Sequence, residues 1–129
     1  MKSFRVLLVD DSKLFLELVE RSLSLVKNVQ VVGSAASGEE ALRLAGELNP
    51  DLILMDLAMP GMNGLQATRI LKEKEDAPSV IILTMYDSRE YRRAVESVGA
   101  DGFVAKSEFG EKLMPMIKSL LAQPRSRAG

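Results

Sequence analysis

Apolar residues come in short unbroken runs along this chain, and stretches with helical spacing separate them. "VLLV" (6–9), "LILM" (52–55) and "VIIL" (80–83) are apolar throughout and bounded by polar or turn residues. Runs of this length and continuity suit strands buried on both faces, as in a parallel sheet. Two weaker runs, "VQVVG" (29–33) and "GFVAK" (102–106), bring the count to five. The stretches between them carry helix signals. Ser37 with Glu40 reads as a capping box ahead of "ALRLAGEL", and Asn63 with Gln66 resembles one ahead of "ATRILKE". Phe15, Leu18, Val19, Leu23 and Val26 fall on a single helical face. Asn49-Pro50 and Gly99 punctuate helix ends.

The predicted order is β1 (4–9), α1 (12–27), β2 (29–34), α2 (38–48), β3 (51–55), α3 (64–74), β4 (79–84), α4 (88–97), β5 (102–105) and α5 (108–122). Strict alternation predicts an α/β fold, a doubly wound five-stranded parallel sheet covered by five helices. No internal repeat is visible. Residues 1–122 are expected to form one domain. The small, polar and basic segment 123–129 reads as a flexible tail or the start of a linker.

Composition narrows the function. Seventeen basic and 18 acidic residues give a net charge of −1. Direct nucleic-acid contact by this segment is therefore not expected, since that needs a basic surplus. There is no cysteine, which excludes disulfides and thiolate chemistry, and no histidine. The chain cannot be its own phosphohistidine donor. The N-terminal apolar run is too short for a secretory signal, and no run approaches membrane-spanning length. The expected location is cytoplasmic, without membrane contact.

Chemistry concentrates at the strand ends. β1 runs into Asp10-Asp11, β3 into Asp56, β4 into Thr84 and β5 into Lys106. Open parallel sheets bind ligands beyond the carboxyl ends of their strands, where strand order reverses. If the order is 2-1-3-4-5, flavodoxin-like, the reversal lies between β1 and β3, and three carboxylates converge there. Such a trio repels itself unless a cation compensates. Mg²⁺, or Mn²⁺ in its place, suits oxygen ligands of this kind. A carboxylate can also accept a phosphoryl group as an aspartyl-phosphate. Lys106 could then neutralise phosphoryl charge, and the Thr84 hydroxyl could donate a hydrogen bond.

Each residue also has a plainer reading. Asp11 or Ser12 could cap α1. Asp56 could open the turn before Pro60-Gly61. Thr84 is a good strand residue, Lys106 a solvated one, Phe103 a core aromatic, and the seven methionines gap-fillers. None of these readings explains why four strand ends each carry a group fitted to one phosphoryl site.

Taken together, "VLLVDDS", "PDLILMDLAMPGMNG", "VIILTM" and "GADGFVAKS" resemble the receiver domain of bacterial two-component response regulators, over about residues 4–122. The resemblance implies that Asp56 accepts phosphate from a partner histidine kinase or phosphotransfer protein. It implies that Asp10, Asp11, Asp56 and the Ala58 backbone carbonyl hold Mg²⁺, and that Thr84 and Lys106 contact the phosphoryl group. It makes Thr84 and Phe103 the switch pair, and the α4-β5-α5 face the output surface or a homodimer contact. The implied role is a signalling switch, not an enzyme. Three positions depart from common family patterns. Ser107 follows the β5 lysine where proline is frequent, a pattern common among members with DNA-binding output domains. Ala58 offers no side chain to orient a water. Met85 follows Thr84 where a small residue is usual, and is expected to restrict access to the site. Two other functions compete. A Mg²⁺-dependent phosphatase with an aspartate nucleophile needs Asp-x-Asp at the first strand end, whereas this chain has Asp-Asp-Ser. A degenerate receiver acting by protein contacts alone would not need the full set of five site residues.

Overall fold

In the computed structural model, described for residues 3–123, five parallel strands form one sheet in the order β2-β1-β3-β4-β5. The strands are β1 (Phe4–Val9), β2 (Val29–Ala35), β3 (Leu52–Asp56), β4 (Ser79–Thr84) and β5 (Gly102–Ala105). The helices are α1 (Lys13–Ser24), α2 (Gly38–Leu48), α3 (Gly64–Lys72), α4 (Arg89–Ser97) and α5 (Phe109–Ala122), with a 3-10 turn over Lys106–Glu108 leading into α5. Alternation predicts the parallel sheet, and the observed order is the flavodoxin-like one expected above. The tail expected over 123–129 lies, beyond Gln123, outside the described residues. No helix among the described residues is long and apolar enough to cross a membrane.

The unbroken apolar runs are explained by two separate layers of core. Side chains alternate across a strand, so each run feeds both faces. Leu7, Val9, Ile53, Met55, Val80 and Ile82 point to one side, against Ala41 and Ala45 of α2, Ala67 and Leu71 of α3, and Val95 of α4. Val6, Leu8, Leu52, Leu54, Ile81, Leu83 and Val104 point to the other, against Val19 and Leu23 of α1 and Leu113 and Ile117 of α5. The three central strands are almost wholly buried, whereas the edge strand β2 is mostly half-buried. That difference is why "VQVVG" is the weaker signal.

Helix ends depart from the sequence reading where local bonding tightens the chain. α1 stops at Ser24 because the N–H groups of Leu25 and Val26 bond back only three residues, to Ser22 and Leu23. Asn28 then takes a left-handed conformation, φ 69°. α3 ends at Lys72 in the same way, with Glu73 and Lys74 bonding to Ile70 and Leu71. The expected stripe of α1 also differs in two places, the first being Val26, which lies beyond the helix end. Leu18 is exposed, and the half-buried Leu16 packs against the core instead. The Asn63–Gln66 capping box is complete. At Ser37 the box is half-made: Ser37 Oγ accepts from the Glu40 N–H, but the Glu40 carboxylate reaches past Ser37 to the N–H of Ala36. α5 runs through Pro115, a residue that the sequence reading passed over.

Candidate functional site

Parallel register brings the acids together. Val9 pairs with Met55, so the next residues, Asp10 and Asp56, leave adjacent strands side by side. One carboxylate oxygen from each of Asp10, Asp11 and Asp56 lies within 4.8 Å of the others. Asp10 is 3% exposed and Asp56 6%, while Asp11 is exposed. Lys106 enters from the end of β5. Its Nζ sits 2.6 Å from Asp10 Oδ2 and 3.5 Å from Asp56 Oδ1. Helix capping falls to Ser12, whose Oγ accepts from the Phe15 N–H, and Asp10 Oδ1 accepts from the Ser12 N–H. Asp11 is thus left out of the cap.

Charge crowding is visible at Asp56. Burial raises its carboxyl, the Asp10 charge raises it further and Lys106 opposes both, with the result that it is pushed up to about 6. With all four groups ionised, three carboxylates against one ammonium leave a surplus of two negative charges. An oxygen-only donor set with that surplus fits a hard divalent cation such as Mg²⁺, held by Asp10, Asp11 and Asp56.

The segment after Asp56 is held in place by backbone. Gly64 donates its N–H to the Leu57 carbonyl, and a Cβ at Gly64 would collide with the Asp56 carbonyl oxygen. Gly38 donates to the Met62 carbonyl, tying α2 to the same loop. Ala58 is exposed in that loop, two residues past Asp56.

The remaining expected residues lie on the β4 and β5 side. Thr84 is fully buried, and its Oγ1 accepts from the Tyr86 N–H at 2.9 Å. Met85 beside it is 78% exposed, so its side chain stands mostly in solvent. Phe103 is half-buried against the α2-α3-α4 layer. Two neighbours escaped the sequence reading. The Arg92 guanidinium lies 4.6 Å above the Phe103 ring and bonds Asp87 through Nε at 2.8 Å. The Phe15 ring lies 4.5 Å from Lys106 Nζ and packs edge-on against Phe109. Helical spacing marked Phe15 as core, and nothing in the sequence pointed to Arg92.

The family description "Response regulator receiver domain" matches residues 6–118. The chain belongs to the response regulator receiver domain family. Among curated relatives, this receiver is 36% identical to the response regulator GacA of Pseudomonas aeruginosa, over 94% of this chain and 56% of that protein. It is 35% identical to the nitrate/nitrite response regulator protein NarL of Escherichia coli, over 91% of this chain and 54% of that protein. The chain thus spans about half the length of these relatives. Among solved structures it is similar to a two-component response regulator of the LuxR family from Aurantimonas sp., with TM-score 0.88 and 34% identity, covering 96% of this chain and 89% of that one. It is likewise similar to the signal receiver domain of the putative response regulator NarL from Mycobacterium tuberculosis, with TM-score 0.86 and 32% identity, covering 95% and 100%. Receivers are signalling modules of two-component systems, and they generally bind Mg²⁺ at an acidic cluster of the kind formed here.

Proposed function

We propose that this receiver accepts a phosphoryl group on Asp56 from a histidine kinase or phosphotransfer protein, and that residues 1–122 form the switching unit. One observation carries the reading: Asp10, Asp11, Asp56 and Lys106 meet at the carboxyl end of the sheet. In the transfer, an Asp56 carboxylate oxygen attacks phosphorus, the bond to the donor imidazole nitrogen breaks, and the imidazole leaves with that electron pair. Asp10, Asp11, Asp56 and the Ala58 carbonyl would hold Mg²⁺ or Mn²⁺, which supplies charge neutralisation for the transferring group. Lys106 stabilises the phosphoryl oxygens, and Thr84 leaves its bond with Tyr86 to donate to one of them. Phe103 follows into the space that Thr84 vacates.

Readout falls to the α4-β5-α5 face, through an output partner or a second copy of the chain. A cytoplasmic protein that slowly switches transcription agrees with Ser107 and with relatives named as regulators of transcription, such as DegU of Brevibacillus brevis. In a longer regulator of that kind, DNA contact would fall to another segment, because this one carries a net charge of −1. The test is incubation with acetyl phosphate and Mg²⁺, followed by mass spectrometry. Wild type should gain one phosphoryl group and Asp56→Asn none. Uptake by Asp56→Asn at the wild-type rate, or uptake in EDTA, overturns the assignment.

A further inference from the structure

We propose that Phe15 is the positioning residue for Lys106, an aromatic platform that keeps the ammonium in the site when its ionic partner changes. This rests on the role given to Lys106 above. The lysine is held from two sides. Asp10 and Asp56 face its ammonium at 2.6 and 3.5 Å, and the Phe15 ring lies 4.5 Å from the same nitrogen. The side chain is only 13% exposed, so water screens these contacts weakly.

The partners are not equivalent. Asp10 is the nearer carboxylate, yet it belongs to the acidic trio and is the group that a divalent cation competes for. Asp56 is the group whose charge changes on phosphorylation. Phe15 alone among these contacts takes no part in either event, because a ring face attracts an ammonium through its quadrupole, whatever the carboxylates bind. Its position is itself fixed. Phe15 lies in the first turn of α1, whose N-cap is made by Ser12 to the Phe15 N–H, and its ring meets Phe109 edge-on with centroids 5.4 Å apart. Phe109 begins the helix that follows Lys106 by a single 3-10 turn. The ring therefore grips both ends of the segment that carries the lysine. A lysine without this platform samples more rotamers and meets the incoming phosphoryl group less often.

The experiment compares wild type, Phe15→Leu, Phe15→Tyr, Lys106→Met and the double variant Phe15→Leu/Lys106→Met. Each is phosphorylated by acetyl phosphate at saturating Mg²⁺. Phe15→Leu should slow the reaction by about 3- to 10-fold, the range expected for one partly desolvated cation–π contact. Phe15→Tyr should restore most of the rate. Phe15→Leu should add nothing in the Lys106→Met background. Independently, the Lys106 ε-protons of wild type should be shifted upfield in proton NMR by the ring current, a shift that Phe15→Leu removes. If Phe15→Leu does not fold, Phe15→Met replaces it, and the wild-type ring-current shift needs no variant at all. An equal loss from Phe15→Leu with and without Lys106, or ε-protons at random-coil positions in wild type, overturns the platform. A Lys106→Met variant that reacts at the wild-type rate overturns the role of Lys106 itself, a different failure from the first two.

Discussion

Replacing Asp56 by Asn measures how far the pocket destabilises the metal-free fold. Burial and the Asp10 charge raise the Asp56 carboxyl from 3.8 to about 6, against the opposing pull of Lys106 and with a smaller push from Asp11. An acid raised in the folded state keeps its proton to higher pH than in the unfolded chain. Between about pH 4 and pH 6 the native state therefore binds more protons, and stability falls as pH rises through that window. The loss is complete above it. A displacement of roughly two units corresponds to about 3 kcal/mol at pH 7.5. The pocket opens to solvent at the exposed Asp11, so screening removes part of this. Asn is close to isosteric, carries no charge and still offers Lys106 an acceptor, while Asp10 remains the nearer partner at 2.6 Å. Urea unfolding in EDTA at pH 7.5 should find the variant ahead by about 1–3 kcal/mol, or roughly 4–11 °C in Tm for a chain of this size. The gap should close by pH 4. Added Mg²⁺ should narrow it at pH 7.5 by stabilising wild type. A variant no more stable than wild type at pH 7.5, or a gap that persists unchanged at pH 4, refutes the buried charge as its cause.

Asp11→Asn should weaken Mg²⁺ binding, read by calorimetric titration, and raise the Tm in EDTA by less than Asp56→Asn does; a lower Tm would mean that Asp11 supports the fold in some other way. Met85→Ala should leave stability within about 0.5 kcal/mol, as expected for an exposed side chain, and should speed decay of phosphorylated Asp56 at equal Mg²⁺. Equal decay rates would remove Met85 as a screen on the site. Arg92→Ala should free the Phe103 ring, visible as changed ring-proton shifts and faster ring flipping, and should leave the Asp10 and Asp56 resonances in place. Unchanged Phe103 signals would show that the guanidinium does not restrain the ring.

The architecture is legible in the sequence because a strand buried on both faces needs an unbroken apolar run, and Val6–Val9, Leu52–Met55 and Val80–Leu83 each supply one. Parallel topology then carries the strand-end residues to one edge, which makes Asp10, Asp56, Thr84 and Lys106 readable as a group. Helix ends are less legible. Whether Leu25 continues a helix depends on a choice between bonds three and four residues back, and side-chain pattern does not encode it. Leu18 fits an apolar stripe yet is exposed, because one helical face is wider than the core that meets it. The contacts of Phe15 and Arg92 are hidden for a different reason. An aromatic on the inner side of a helix and an arginine on the outer side are the commonest of placements, and only three-dimensional proximity gives them a charged or aromatic partner.

Gly64 has a consequence best put in mechanical terms. Its Cα rests so close to the Asp56 carbonyl that even a methyl group cannot be inserted, and the neighbouring obstructions, Asp56 C and Leu57 Cα, are also backbone atoms. Contacts between side chains are compliant, since a rotamer can turn and absorb a small displacement. This one has no such spring in it. A shift of the main chain at Asp56 toward Gly64 therefore presses on backbone at the first residue of α3, with no side chain between them to yield. Stiffness of this kind restricts position 64 to a one-letter alphabet. A mutational scan should find it as intolerant as the acids themselves, although it contributes no side chain to the site.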